Sequence, residues 1–136
     1  GMVYHDWAEK KELLPYVRFL KTDAAEAEIL TGFTDRAEAA RQLYQWGAKE
    51  ILITHNTEVL VYDGREIYTC PIRARNLSGR TGRGDTTFAG YINERLTADI
   101  PTALRFATAL VSLKMETPGP FTGTRADVDA YLKEFY

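Results

Sequence analysis

The sequence predicts an α/β fold, a three-layer sandwich around a mostly parallel sheet, for all 136 residues. Two observations support this class. Segments with helical spacing alternate with short apolar runs of strand length, and an Asp-Gly turn signal at 63–64 marks one hairpin. A chain of this length forms one domain with its own core and is too short for two domains of ordinary size.

The first third of the chain predicts one strand and two helices. The stretch VRFLKTD contains a short buried strand, Val17 to Lys21. Asp23 lies where it can cap the helix AAEAEILTG, which Gly32 closes. The second helix follows from Asp35, carries apolar residues near helical spacing and ends at Gly47.

The middle of the chain predicts a buried strand followed by a hairpin. EILITH is a continuous apolar run, which is typical of a strand that is buried on both faces. EVLVYDG and REIYTCP then flank Asp63 and Gly64, and Asp-Gly between two apolar runs is the strongest short hairpin signal. Three strands are therefore expected between residues 50 and 71.

The last part of the chain predicts three helices. In the first, GDTTFAGYINERL, one apolar face is formed by Phe88, Ala89, Ile92 and Leu96. The second, IPTALRFATALVSLKM, stops at the TPGP stretch. The third, RADVDAYLKEFY, has Thr124 at its N-cap position.

Composition excludes several classes of function. The formal net charge of −2 gives no attraction to nucleic acid or to an anionic membrane, and the arginine-rich loop at 73–83 lacks interleaved aromatic residues. No apolar run has the length of a membrane span, and no signal peptide is found. A lone cysteine, Cys70, fits a reducing compartment. We therefore expect a cytoplasmic protein that binds neither nucleic acid nor a membrane.

A glycine-rich stretch before the first of these last helices carries the strongest chemical signal. From residue 79 it is G-R-T-G-R-G-D-T, close to the phosphate loop G-x-x-x-x-G-K-[ST], but Asp85 replaces the lysine. Gly82 and Gly84 would let backbone N–H groups point at an anion. A carboxylate repels phosphate, yet it can accept the proton of a hydroxyl that attacks phosphorus. Two interpretations stay open: Asp85 is such a base, or it merely caps the helix.

Four segments, in order, resemble the ribokinase-like (phosphofructokinase-B, PfkB) carbohydrate kinases. TGRGDTTFAGY is similar to the family signature around G-A-G-D, and LKTDAAEAEILTG to its K-P-N-x-x-E-x-x-x-L-T-G segment. ILITHNTEVLVYDG is similar to a strand that ends in T-L-G, and FATALVSLKMETPGP to a late helix and the loop that closes over the nucleotide. The resemblance implies ATP-dependent transfer of the γ-phosphoryl to a hydroxyl of a sugar, polyol or related small molecule.

The resemblance also implies the roles of individual residues in catalysis. Asp85 would deprotonate the acceptor hydroxyl. The backbone N–H groups of Gly82, Arg83 and Gly84 would form an anion hole for the transferred phosphoryl. Sugar, polyol, nucleoside and vitamin kinases share these features, so the acceptor is not specified.

The same resemblance implies the residues for the cofactors ATP and Mg²⁺. Thr54 and Asn56 would lie near the ATP phosphates and ribose, and Thr108 beside the adenine. Asp23 and Glu26 match the N-x-x-E pair that acts near magnesium and its waters. Asn56 replaces a glycine, and asparagine tolerates a left-handed backbone better than other residues.

The resemblance covers only part of a family member. Relatives are considerably longer, and a sugar-binding N-terminal half and a small lid have no counterpart here. We therefore expect residues 1–136 to be a single domain, the nucleotide-binding C-terminal half of such a kinase. The missing half or a second copy of the chain would be its partner. The alternative is a catalytically silent nucleotide-binding or interaction module, which would not need Asp85.

Overall fold

The computed structural model describes residues 11–73, 83–116 and 123–136, and for 83–85 it describes the backbone only. These residues form an α/β structure, as predicted. Their elements are β1 (Phe19–Asp23), α1 (Ala24–Thr31), α2 (Arg36–Gln45), β2 (Glu50–Thr54), β3 (Glu58–Tyr62), β4 (Ile67–Pro71), α3 (Arg83–Arg95), α4 (Ile100–Met115) and α5 (Arg125–Phe135). In the ranges described, no helix combines the length and the apolar character needed to cross a membrane.

The sheet has the strand order β1-β2-β3-β4. β1 and β2 are parallel, with Leu20 opposite Ile51 and Asp23 opposite Thr54. The connections at 55–57 and 63–66 are too short for a parallel crossover, so the strands after β2 form a meander. Parallel pairing therefore holds for β1 and β2, and the expected hairpin follows them.

The chain divides into two units, and the first contains Gly1–His55 and Leu60–Thr69. Its core is formed by β2, which is buried along its whole length, together with side chains of α1 and α2. The caps follow the prediction: Asp23 caps α1, Gly32 ends it with φ 81°, and Asp35 caps α2 through the Ala37 N–H. Strand β1 lies two residues later than predicted, so it ends at Asp23 itself.

The second unit contains Asn56–Val59 and Cys70–Tyr136. In this unit α3 packs on α4. A Cβ atom at Gly90 of α3 would lie 2.6 Å from Leu110 Cδ2 of α4, so the absence of a side chain at Gly90 allows the two helices to approach closely. The buried side chains of α3 are Thr87, Tyr91 and Glu94.

The apolar face predicted for α3 is not the buried one. Phe88 and Ile92 are partly exposed, Ala89 is exposed, and Leu96 is 74% exposed. Tertiary contacts override the periodicity here, because the helix turns its small residue, Gly90, toward its neighbour. An apolar stripe of α3 is therefore left on the surface.

Candidate active site

The first group of predicted site residues lies where the two parallel strands end. Asp23 is the last residue of β1, Thr54 is the last residue of β2, and the two are paired in the register. The carboxyl ends of parallel strands are the usual place for ligands in α/β proteins. The structure thus brings Asp23 and Thr54 together, although they are far apart in the sequence.

Glu26 is held beside them by a capping box. Its N–H donates to Asp23 Oδ1 at 2.7 Å, and the Asp23 N–H donates to Glu26 Oε2 at 3.2 Å. The buried Thr22 also donates its hydroxyl to Glu26 Oε2 at 3.0 Å. Thr22 was not among the predicted site residues, because its bond to Glu26 lies outside the three-residue spacing of a capping box.

The two carboxylates fit a magnesium ion by their chemistry. Among the described residues, none donates a hydrogen bond to Asp23 Oδ2 or to Glu26 Oε1, and both side chains are partly exposed. Mg²⁺ in phosphoryl-transfer sites is commonly held by one or two carboxylates together with waters and substrate phosphates.

Asn56 lies in the connection after β2 and is exposed. Its φ is not positive, since the only positive φ angles in the described parts of the chain belong to glycines. The left-handed turn that asparagine could have tolerated is therefore not used. The predicted contact of Asn56 with a nucleotide stays a prediction.

Thr108 lies on α4 in the second unit and is fully buried. Its hydroxyl donates to the Leu104 carbonyl at 2.7 Å, and its carbonyl accepts from the Ser112 hydroxyl at 2.7 Å. Burial raises the pKa of the Cys70 thiol, against smaller opposing effects of Thr108 and two arginines, so it is a neutral thiol at neutral pH.

The predicted catalytic group lies at the start of α3. Arg83, Gly84 and Asp85 are the first three residues of that helix, whose range is Arg83–Arg95, and Gly82 lies outside the described residues. Asp85 is thus part of the helix. A carboxylate in a first turn is favoured by the helix dipole, and so is an anion bound there.

A surface cleft of about 460 Å³ lies away from this strand edge. It is lined by Pro15, Tyr16, Val17, Arg18, Lys49 and Glu50, at and before the amino ends of β1 and β2. The predicted residues Asp23 and Thr54 lie at the opposite ends of the same strands. The cleft therefore takes no part in the candidate site.

Comparison with known proteins shows the family to which this chain is related. The profile described as pfkB family carbohydrate kinase matches residues 3–126. A cytidine kinase of Thermococcus kodakarensis is 38% identical over 85 residues, which are 60% of this chain and 31% of that protein.

Solved structures give the same result. A pyrophosphate-dependent kinase of the ribokinase family, in complex with a pyrophosphate analog and myo-inositol, is 41% identical with a TM-score of 0.82. The match covers 91% of this chain and 45% of that one. Arabidopsis thaliana ribokinase, in complex with ribose and ATP, is 25% identical with a TM-score of 0.82, covering 90% and 43% of the two chains. This chain thus spans less than half of the length of these proteins.

Proposed function

Because the chain belongs to the pfkB family of carbohydrate kinases, we propose that it carries the donor-binding and base-bearing part of a phosphotransferase. Its reaction would transfer a phosphoryl group to a hydroxyl of a sugar, polyol or related small molecule. The observation that supports this best is the placement of Asp23, Glu26 and Thr54 at one end of the parallel strands.

The proposed step needs a base and a site for negative charge. The Asp85 carboxylate takes the proton of the acceptor hydroxyl as its oxygen forms a bond to the terminal phosphorus. The bond from that phosphorus to the leaving group breaks, and ADP leaves if ATP is the donor. The backbone N–H groups of Gly82, Arg83 and Gly84 would bind the transferred phosphoryl at the amino end of α3. Magnesium near Asp23 and Glu26 would neutralise charge on the donor phosphates.

ATP is the donor in this proposal. Thr54 and Asn56 would contact its phosphates and ribose, and Thr108 its adenine. Support comes from the family and from the structural neighbour that holds ATP. The site in this chain would then need room for an adenine beside α4.

Pyrophosphate is the second candidate donor, and a specific observation favours it. Thr108 is fully buried, and on the next turn Ser112 is also fully buried and lies 2.8 Å from the Tyr136 hydroxyl. An adenine at Thr108 would have to displace some of these protein atoms, whereas pyrophosphate carries no base. The 41% identical structure is that of a pyrophosphate-dependent kinase, which supports the same candidate. The leaving group would then be phosphate.

Calorimetric titration tests the proposal and separates the two donors. We expect magnesium-dependent binding of ADP or of pyrophosphate, and the tighter of the two identifies the donor class. Glu26→Gln should weaken the magnesium-dependent part of the binding, since it removes one negative charge from the proposed ion site. Glu28→Gln is the matched control, because Glu28 is an exposed residue of the same helix.

Two results would contradict the proposal. If neither compound gives heat at millimolar concentration while circular dichroism shows an intact fold, the chain has no donor site. If Glu26→Gln and Glu28→Gln have the same effect, Glu26 does not serve a magnesium ion.

A further inference from the structure

Two hydrogen-bond donors converge on one oxygen of the Glu26 carboxylate. The Thr22 hydroxyl donates to Glu26 Oε2 at 3.0 Å, and the Asp23 N–H donates to the same oxygen at 3.2 Å. The first donor is a side chain of β1, and the second is the backbone at the cap of α1. The carboxylate is therefore bound from the strand as well as from the start of its own helix, and Thr22 supplies the shorter of the two bonds.

The position of the Thr22 hydroxyl is fixed by the sheet. Thr22 is 3% exposed and lies opposite Ile53 in the parallel register of β1 and β2. Its β-branched side chain has few χ1 rotamers, so the hydroxyl does not readily turn away. The hydroxyl also lies 3.2 Å from the Asp23 carbonyl oxygen, but it has only one proton, and the carboxylate is the closer and stronger acceptor.

Threonine at this position departs from the segment that the chain resembles. The pattern K-P-N-x-x-E has a proline there, whose side chain has no hydrogen-bond donor, and Asp23 follows in place of the asparagine. This chain thus combines a second carboxylate with a hydroxyl that the pattern does not supply. Two neighbouring carboxylates repel each other, and a hydroxyl that donates to one of them offsets part of that repulsion.

We infer that Thr22 is a positioning residue for the magnesium ion of the donor site. This inference rests on the proposed function. The Thr22 hydroxyl holds Glu26 Oε2, and because the carboxylate is rigid and planar, Oε1 then keeps one direction. Side chains that orient the ligands of a metal ion typically contribute about 10- to 100-fold to its affinity. Loss of the hydroxyl should therefore raise the magnesium requirement of donor binding.

The test is Thr22→Val, which keeps the β-branched shape and removes the hydrogen-bonding group. Three-bond NMR couplings report the rotamer of the Glu26 side chain, and they need neither metal nor donor. We expect one rotamer in the parent and averaging over more than one in Thr22→Val. In calorimetric titrations with ADP or pyrophosphate, whichever the parent binds more tightly, we expect the magnesium concentration at half-maximal binding to rise about tenfold.

Two further variants separate this role from a general loss of packing or of a hydrogen bond. Thr22→Ser keeps the hydroxyl and should restore both the single Glu26 rotamer and the magnesium requirement of the parent. Thr31→Val is the matched control, because Thr31 lies in the same helix as Glu26 and donates its hydroxyl to the Ala27 carbonyl at 2.7 Å. It should leave both measurements unchanged.

The inference fails if the Glu26 couplings are the same in Thr22→Val and in the parent. It also fails if the parent already averages over several rotamers, a measurement that needs no variant to fold. An unchanged magnesium requirement in Thr22→Val, or an equal rise in Thr31→Val, would exclude the role toward magnesium. If the parent binds neither compound at any magnesium concentration, the proposed function fails and the magnesium role with it, whereas the couplings still decide whether Thr22 holds Glu26.

Discussion

Single residues of the candidate site serve the fold and the proposed chemistry at once. Asp23 ends β1, caps α1 through one carboxylate oxygen and keeps the second oxygen free of donors among the described residues. Glu26 returns a hydrogen bond to the Asp23 backbone through one of its own oxygens. One oxygen of each carboxylate is fixed by hydrogen bonds, and this fixes the position of its second oxygen. Binding of an ion to the second oxygen then costs little conformational entropy of the side chain.

Asp85 is the residue whose substitution tests the chemistry most directly. In the complete enzyme, Asp85→Asn should leave donor affinity nearly unchanged, because the amide has the same shape and the proposed anion hole is backbone. Turnover should fall by about 10²–10⁴-fold, as for other enzymes that lose a general base. Measuring kcat and ADP or pyrophosphate affinity on the same preparation separates the two effects.

A matched control is Asp35→Asn at the N-cap of α2, where asparagine caps about as well as aspartate. Both substitutions replace a carboxylate by an amide at the start of a helix. Should Asp85→Asn keep turnover within a few-fold of the parent, as Asp35→Asn is expected to do, the assignment of Asp85 as the base is wrong.

At the scale of elements, helix caps were predictable and the buried face of α3 was not. Asp23, Asp35 and Thr124 are N-caps, as the sequence indicates, because a cap is a local interaction between neighbours in the chain. The buried face of α3 depends instead on a distant helix, which contacts Gly90, and on Arg125, which pairs with Glu94. Local periodicity carries no information about either partner.

In the proposed site, too, interactions between near neighbours in the chain were predictable and long-range interactions were not. The capping signal predicts that Asp23 and Glu26 lie together, since they are three residues apart. The pairing of Asp23 with Thr54 depends on strand register. Elsewhere in the chain, the bonds from Tyr131 and Tyr136 to the 71–73 backbone had no sequence signal, because they join hydroxyls to main-chain atoms about sixty residues away.

Helix α4 gives a prediction about pH. Asp99 is its N-cap, and hydrogen bonds from the Thr102 side chain and backbone lower the pKa of the Asp99 carboxyl. Because the pKa of Asp99 is lower in the folded protein than in the unfolded chain, where it is near 3.8, the ionised carboxylate stabilises the fold at pH values above 3.8. This stabilisation is lost as the pH falls through the pKa of the folded state. The parent should therefore unfold at a higher temperature than Asp99→Asn at pH 7, and this difference should shrink as the pH falls below the unfolded value.

Asparagine is the appropriate substitution here because it keeps the cap and removes the charge. Thermal melting of both proteins, followed by circular dichroism at several pH values, gives the difference directly. A difference that does not change as the pH is lowered through the acid range would show that the Asp99 charge contributes nothing.

At the scale of the whole molecule, the chain presents surfaces that a larger assembly would cover. It spans 45% of the pyrophosphate-dependent kinase it matches. β1 lies at one end of the described strand order, and the apolar stripe of α3 continues into Leu96, which directly follows the helix and is 74% exposed. Unpaired strand edges and apolar patches favour association with another polypeptide.

We therefore expect this chain by itself to self-associate in a concentration-dependent way. Leu96→Lys should reduce the association, because it places a charge in the apolar stripe. Thr97→Lys is the control, since Thr97 is an exposed neighbour that is not part of the stripe. Size-exclusion chromatography with light scattering measures the mass. A parent chain that stays monomeric at all concentrations would contradict this expectation.

The register between β1 and β2 limits where this chain can gain or lose residues during evolution. β2 is buried along its whole length and ends with Thr54 opposite Asp23. A one-residue deletion inside either strand would shift that pairing and turn buried side chains to the opposite face. Residues 32–35, which join α1 to α2, are all exposed and can absorb such a change. Insertions and deletions among homologues should therefore gather at that connection and spare both strands.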